Sequence, residues 1–136
     1  MNASPSAWLA QWKARSSPPT YRRATVAPSG PAPRIPRLLM QTAPNLSRAL
    51  VDNEAAMGSM WSLNPEFDYI FLGDAEAADF VRRFCTPSER IAFHSALAGA
   101  SKADLFRYFF LRALGGVYAD VDVELRAPLR EMIPAG

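Results

Sequence analysis

Cysteine and histidine are almost absent from this chain. Its 136 residues include one of each, Cys85 and His94. A single cysteine excludes a disulfide within the chain, and we expect Cys85 to pack as a small apolar side chain near Phe84. For His94 we expect a position on the surface or in the core rather than a role as a ligand.

Long apolar runs are also missing. No stretch approaches the roughly 18 consecutive apolar residues that indicate a transmembrane helix. Met1 to Ala10 lacks the positive start and the continuous apolar stretch of a secretory signal. Seven prolines within the first 40 residues argue against the amphipathic helix of an organelle transit peptide. We therefore predict a cytoplasmic location and no transmembrane segment.

Acidic residues are absent from the first 40 positions, which carry six lysines or arginines. The rest of the chain carries nine basic and thirteen acidic residues, so the net charge of +2 arises in the N-terminal segment. We therefore expect no nucleic-acid partner for the folded part. We predict a disordered, basic, proline-rich tail over residues 1–33 and a folded part over residues 34–136. A short docking turn of helix around Trp8 and Trp12 is the alternative.

Strand and helix signals alternate along the folded part. The predicted strands are Leu38–Gln41, Phe67–Leu72 and Val117–Leu125, and the predicted helices are Leu46–Met60, Ala75–Phe84, a helix from Pro87 to about Leu97, and one from Ser101 to Leu114. Thr86 with Glu89, and Ser101 with Asp104, have capping-box spacing. Gly115 is predicted to be a left-handed cap. This order predicts an α/β fold with a short, mainly parallel sheet flanked by helices.

Two acidic residues occupy alternate positions near the end of the last predicted strand. On a strand, Asp120 and Asp122 would point to one face, where like charges repel unless a cation lies between them. Mg²⁺ and Mn²⁺ prefer such oxygen ligands and often bridge to a phosphate. On the preceding helix, Asp104 and Arg107 are three positions apart and so share a face. That pair could instead be a structural salt bridge between helix and sheet.

The segment Ala100–Val123, with Asp104, Arg107, Gly115-Gly116, Tyr118 and the Asp120-Val121-Asp122 triplet, resembles the sugar-binding region of a glycosyltransferase superfamily. That group includes glycosyltransferase family 32 (Och1-like mannosyltransferases), bacterial capsule and lipopolysaccharide enzymes, and the clostridial glucosylating toxins. Ile35–Gln41 resembles the opening strand of the family, with Met40 in place of the usual histidine. The residues from Trp61 to Leu72 resemble its second strand.

This resemblance implies the donor-binding half of a GT-A fold. Asp104 and Arg107 would contact the sugar, ribose or diphosphate of the donor, and Tyr118 would lie beside the nucleotide or sugar. Asp120 would engage the ribose or sugar and metal-bound water, and Asp122 would bind Mn²⁺ or Mg²⁺ directly. Arg107 and the ion would stabilise the charge of the leaving diphosphate.

The implied activity is a metal-dependent hexosyl transfer, with retention of configuration, from a UDP- or GDP-sugar to a glycan or other acceptor, as in polysaccharide biosynthesis. Family enzymes continue well beyond the carboxylates, so residues 34–136 are predicted to be a C-terminally incomplete donor-binding portion. A non-catalytic module that binds a nucleotide sugar or a protein is the alternative. A phosphotransferase of the haloacid dehalogenase type is disfavoured, because Val123-Glu124 follows the acidic pair. For so small a domain we expect weak stability and self-association.

Overall fold

Four short strands form one mixed sheet in the computed structural model, which describes residues 4–28, 34–96 and 99–133. The strands are β1 (Tyr21–Arg22), β2 (Leu38–Thr42), β3 (Asp68–Leu72) and β4 (Val117–Tyr118). Their order across the sheet is β1-β3-β2-β4. β2 runs parallel to β3 and β4, whereas β1 pairs with β3 in the antiparallel direction. The predicted α/β class with a mainly parallel sheet is therefore confirmed.

Seven helices connect and cover these strands within the described residues. They are α1 (Pro5–Ala14), α2 (Leu46–Asp52), α3 (Glu54–Ser62), α4 (Asp74–Phe84), α5 (Pro87–Ser95), α6 (Gly99–Leu114) and α7 (Leu129–Met132). The capping box that Thr86 and Glu89 predict is confirmed at the start of α5. The predicted start at Ser101 is wrong, because α6 already begins at Gly99. None of these helices combines the length and apolarity needed to cross a bilayer.

Both faces of the central strands are buried, as expected for parallel strands covered by helices. On one face, Met40 and Ile70 pack against an aromatic cluster centred on Phe80, Phe106 and Phe110. On the other face, the neighbouring strand residues pack against α2, α3 and α7; these strand residues are Leu39, Tyr69 and Phe71. The alternation of side chains along β2 and β3 thus divides one short sheet between two cores.

The N-terminal segment is folded, which corrects the prediction of a disordered tail over residues 1–33. Ser4 caps α1 and Pro5 occupies its first turn, and the helix buries Trp8 and Trp12. The indole nitrogen of Trp8 donates to Asp79 at 2.9 Å. These large aromatic side chains bury enough apolar surface to offset the cost of ordering the segment. Residues 1–3 and 29–33 of the predicted tail lie outside the described residues.

The last strand is shorter than predicted. β4 ends at Tyr118, and residues 119–125 are irregular, with a turn in which the Asp120 carbonyl accepts from the amide of Val123 at 3.1 Å. The prediction that Asp120 and Asp122 both lie on a strand is therefore wrong. Where the ladder ends, the side chain of Gln41 in β2 donates to the carbonyl groups of Ala119 and Asp120.

Candidate functional site

The glycine pair between α6 and β4 brings the acidic segment against the start of β2. Gly115 and Gly116 have φ angles of +70° and +99°, a region that glycine adopts at least cost. A Cβ atom at Gly116 would lie 2.5 Å from the carbonyl oxygen of Leu38, and one at Gly115 would lie 3.0 Å from Pro36. The predicted left-handed cap at Gly115 is confirmed. Gly116 is additionally required for the close approach of the two chain segments.

A buried glutamine holds the backbone of the acidic segment. Gln41 is 0% exposed, and its amide nitrogen donates to the carbonyl oxygens of Ala119 at 3.2 Å and Asp120 at 3.0 Å. Its side-chain oxygen accepts from the Tyr69 hydroxyl at 2.8 Å. Burial raises the pKa of Tyr69, so this hydroxyl remains a protonated donor at neutral pH. Gln41 therefore satisfies both ends of its amide while fixing the position of Asp120.

The hydrogen bonds that Gln41 makes to the acidic segment were not predicted from the sequence, in which Gln41 is only part of the first predicted strand. The available signal was an amide side chain within an otherwise apolar strand. A buried polar group without a partner is costly, so such a residue is expected to have a specific hydrogen-bonding role.

Four of the five predicted site residues come together around one guanidinium group. Arg107 forms ion pairs with Asp104 of the same helix and, at 3.6 Å, with Asp120. Its Cζ atom lies 4.9 Å from the centre of the Tyr118 ring. The Tyr118 hydroxyl donates to Asp120 Oδ1 at 2.8 Å. The Asp104–Arg107 pair therefore lies within α6, and it is the contact of Arg107 with Asp120 that links this helix to the segment after β4.

Burial raises the pKa of Tyr118, and the hydrogen bond to Asp120 and the negative charges of Asp120 and Asp122 raise it further. The phenol is therefore neutral at physiological pH and can act only as a hydroxyl donor or acceptor. One polar atom of the cluster lacks a partner: Arg107 Nε is buried and finds no hydrogen-bond acceptor among the described residues. A ligand that offers an acceptor here would complete the hydrogen bonding of Arg107.

Asp122 differs from the other four residues in its contacts. Its carboxylate is exposed, as are those of Asp104 and Asp120, but no hydrogen bond or ion pair reaches it from the described part of the chain. Its negative charge contributes to the raised pKa of Tyr118. Within residues 4–28, 34–96 and 99–133, no three His, Cys, Asp or Glu side chains are close enough to hold a metal ion by themselves.

A small cavity lies where β2 and β3 end and α6 passes. Its volume is about 20 Å³, and Thr42, Asp74, Lys102 and Phe106 contribute to its wall. That volume is enough for about one water molecule. The carboxyl ends of the strands therefore offer a shallow depression in this structure, at the position where open α/β sheets bind ligands.

Cys85 and His94 take no part in the cluster. Cys85 is buried within the aromatic core, next to Phe84, and burial raises the pKa of its thiol; the predicted apolar role is confirmed. His94 is exposed on α5 and contacts the Phe93 ring edge-on.

The acidic segment follows the carboxyl end of β4, which is where open α/β sheets bind ligands. The particular family follows from the comparison with family models: residues 51–136, more than half of the chain, match the glycosyltransferase sugar-binding region containing the DXD motif. The chain belongs to this family, and Asp120-Val121-Asp122 is its DXD triplet.

No curated protein and no solved structure shows a significant match to the chain. Family membership supports nucleotide-sugar binding of the glycosyltransferase type. The narrower assignment to glycosyltransferase family 32 stays a prediction.

Proposed function

We propose that this chain binds a nucleotide-diphospho-sugar together with Mn²⁺ or Mg²⁺ and transfers the hexosyl group to a glycan or other acceptor with retention of configuration. The observation that carries the proposal is the Arg107 cluster. A guanidinium held between two carboxylates and stacked near a tyrosine ring keeps one buried N–H without an acceptor. That arrangement suits an oxygen-rich, anionic ligand.

The cluster gives each residue a distinct task. Asp104 and Asp120 hold the Arg107 guanidinium in place, so its charge is positioned before the donor arrives. A fixed positive charge stabilises the diphosphate as negative charge develops on it during bond cleavage. Tyr118, kept neutral, can hydrogen-bond a hydroxyl of the donor without adding negative charge.

The carboxylates fit a hard divalent ion, provided that the donor completes its coordination. Asp122 presents an exposed carboxylate, whereas Asp120 shares one oxygen with Tyr118 and lies near Arg107. Mg²⁺ in particular is commonly bound by one or two carboxylates plus substrate phosphates and water. When bound, the ion would supply further charge neutralisation for the leaving diphosphate. We therefore expect metal and donor to bind together, and metal alone to bind weakly.

Calorimetric titration of the full chain with UDP- and GDP-hexoses, with and without Mn²⁺, tests the donor assignment. We expect binding of one of these donors to depend on Mn²⁺ and to be lost in Asp122→Asn. Glu124→Gln is the matched control, because Glu124 is also acidic and exposed on the same segment. Failure of both donor classes to bind, or unchanged binding in Asp122→Asn, would contradict the proposal.

Transfer is tested separately from binding. Mass spectrometry of reactions containing the bound donor and a panel of glycan acceptors should detect a glycosylated product. Donor binding without transfer or donor hydrolysis would instead make the chain a binding module.

A further inference from the structure

A second polar pocket lies away from the DXD triplet. Its volume is about 290 Å³ and it is formed where the chain enters β3, between Arg22, Arg23, Thr25, Trp61 and Ser62. This volume is close to the lower limit of small-molecule sites, roughly 300 Å³. Since β2, β3 and β4 run parallel, the start of β3 and the residues that follow β4 belong to opposite ends of the sheet.

The pocket carries two positive charges that the described residues leave unpaired. No salt bridge reaches Arg22 or Arg23 within the described part of the chain, and no acidic residue lines the pocket. The nearby acids have other partners. Glu66 lies 3.6 Å from Arg130, and Asp68 binds Lys13 at 2.7 Å.

Arg22 is held in a defined orientation. Its Cζ atom lies 4.0 Å from the centre of the Trp61 ring, which is the shortest cation–ring distance among the described residues. Its Nε atom is buried and has no hydrogen-bond partner there. A buried, charged donor is seldom left without an acceptor, so the pocket lacks a group that accepts hydrogen bonds and carries negative charge.

We propose that this pocket binds a small molecule through a phosphate group. Two guanidinium groups and the hydroxyls of Thr25 and Ser62 line it. These groups supply more hydrogen-bond donors than the two oxygens of a carboxylate can accept. A phosphate offers three or four oxygens, and arginine pairs with phosphate through parallel hydrogen bonds. The amide of Asn64 is already occupied by Met60 and Leu129, so the binding energy comes from the arginines and hydroxyls.

The test uses the full chain and inorganic phosphate, titrated at constant pH and ionic strength and followed by tryptophan fluorescence and ³¹P line broadening. Saturable binding is expected, with acetate binding more weakly. Arg23→Gln, at an exposed position, should weaken phosphate binding by about tenfold or more. Arg22→Gln should do the same, but Arg23→Gln carries the test if loss of the Trp61 contact prevents Arg22→Gln from folding. Arg48→Gln, an exposed charge on α2, is the matched control.

Three results would overturn the proposal. These are no saturable binding of phosphate, acetate binding as tightly as phosphate, or an equal loss of binding in Arg48→Gln. The assignment is independent of the donor site, so Mn²⁺-dependent donor binding should be unchanged in Arg23→Gln. Loss of both activities in a folded Arg23→Gln variant would place the arginines in the donor site and so contradict a separate pocket.

Discussion

Asp120 and Asp122 are separated by one residue and are both exposed, yet they differ in their contacts. The backbone of Asp120 is held by the buried Gln41, and its carboxylate accepts from Tyr118 and lies near Arg107. Asp122 is exposed, and its carboxylate has no partner among the described residues. Under the proposed function, the Asp120 carboxylate would organise the site and the Asp122 carboxylate would bind the ligand.

The largest loss of stability is expected at Gly116, where the segment that leads to Asp120 packs against Leu38 of β2. In Gly116→Ala the new methyl group would approach the Leu38 carbonyl oxygen to 2.5 Å at a φ of +99°. We expect a loss of about 3 kcal/mol in the free energy of unfolding, measured by urea denaturation. Gly58→Ala is the control, because its nearest neighbour is 3.9 Å away. Wild-type stability of Gly116→Ala would show that this close approach is not constrained.

A smaller loss of stability is expected when the Gln41 side chain, which donates to the Asp120 carbonyl, is removed. Gln41→Leu removes the partner of the Tyr69 hydroxyl, the side-chain donor to the Ala119 carbonyl, and one of the two hydrogen bonds to the Asp120 carbonyl. We expect about 2 kcal/mol of destabilisation and weaker donor binding, measured by denaturation and calorimetry. The exposed substitution Gln11→Leu should change stability little.

A double-mutant cycle sharpens this prediction. Tyr69→Phe removes the hydroxyl that donates to Gln41. Its loss in unfolding free energy should therefore be smaller in the Gln41→Leu background than in the wild-type chain. Additive costs would contradict a direct hydrogen bond between the two side chains.

The hydrogen bond from the Tyr118 hydroxyl to the Asp120 carboxylate can be tested by removing the hydroxyl. Tyr118→Phe keeps the ring and removes the hydrogen bond to Asp120, so we expect a loss of about 1 kcal/mol in unfolding free energy. Tyr108→Phe is the matched control, because Tyr108 is 67% exposed. If the two variants had equal stability, the Tyr118–Asp120 bond would contribute nothing.

The smallest effect on stability is expected at Asp122. Asp122→Asn should change the free energy of unfolding by less than about 0.5 kcal/mol, since the side chain is exposed, while Mn²⁺-dependent donor binding is lost. Asp120→Asn should affect both stability and binding, because it weakens the interactions with Tyr118 and Arg107. Identical behaviour of the two variants would remove the distinction between the carboxylates.

Much of the local structure could be predicted from neighbouring residues. The capping box of α5 follows from Thr86, Pro87 and Glu89, and the left-handed turn follows from Gly115. The meeting of Asp104 and Arg107 follows from helical spacing. Each of these features depends on groups only a few positions apart, so it can be predicted from the spacing of residues in the sequence.

Two predictions were wrong because their outcome depends on distant partners. Trp8 and Trp12 order the N-terminal segment by packing beside Phe80 and Tyr21, and composition alone does not reveal that surface. The predicted strand ends before Asp120, whose carbonyl accepts from Gln41, 79 positions away. Local strand propensity could not reveal that hydrogen bond.

The amino-acid sequence by itself determined the α/β order of elements, the glycine turn and the acidic triplet of the family, since these depend on local spacing and residue chemistry. Only the tertiary structure decided that the Asp120 carboxylate has partners in Tyr118 and Arg107, whereas the Asp122 carboxylate has none among the described residues. The same is true of the pairing of Arg22 with Trp61. Burial and hydrogen bonding between distant segments exist only once the sheet has formed, and those interactions give two identical side chains different contacts.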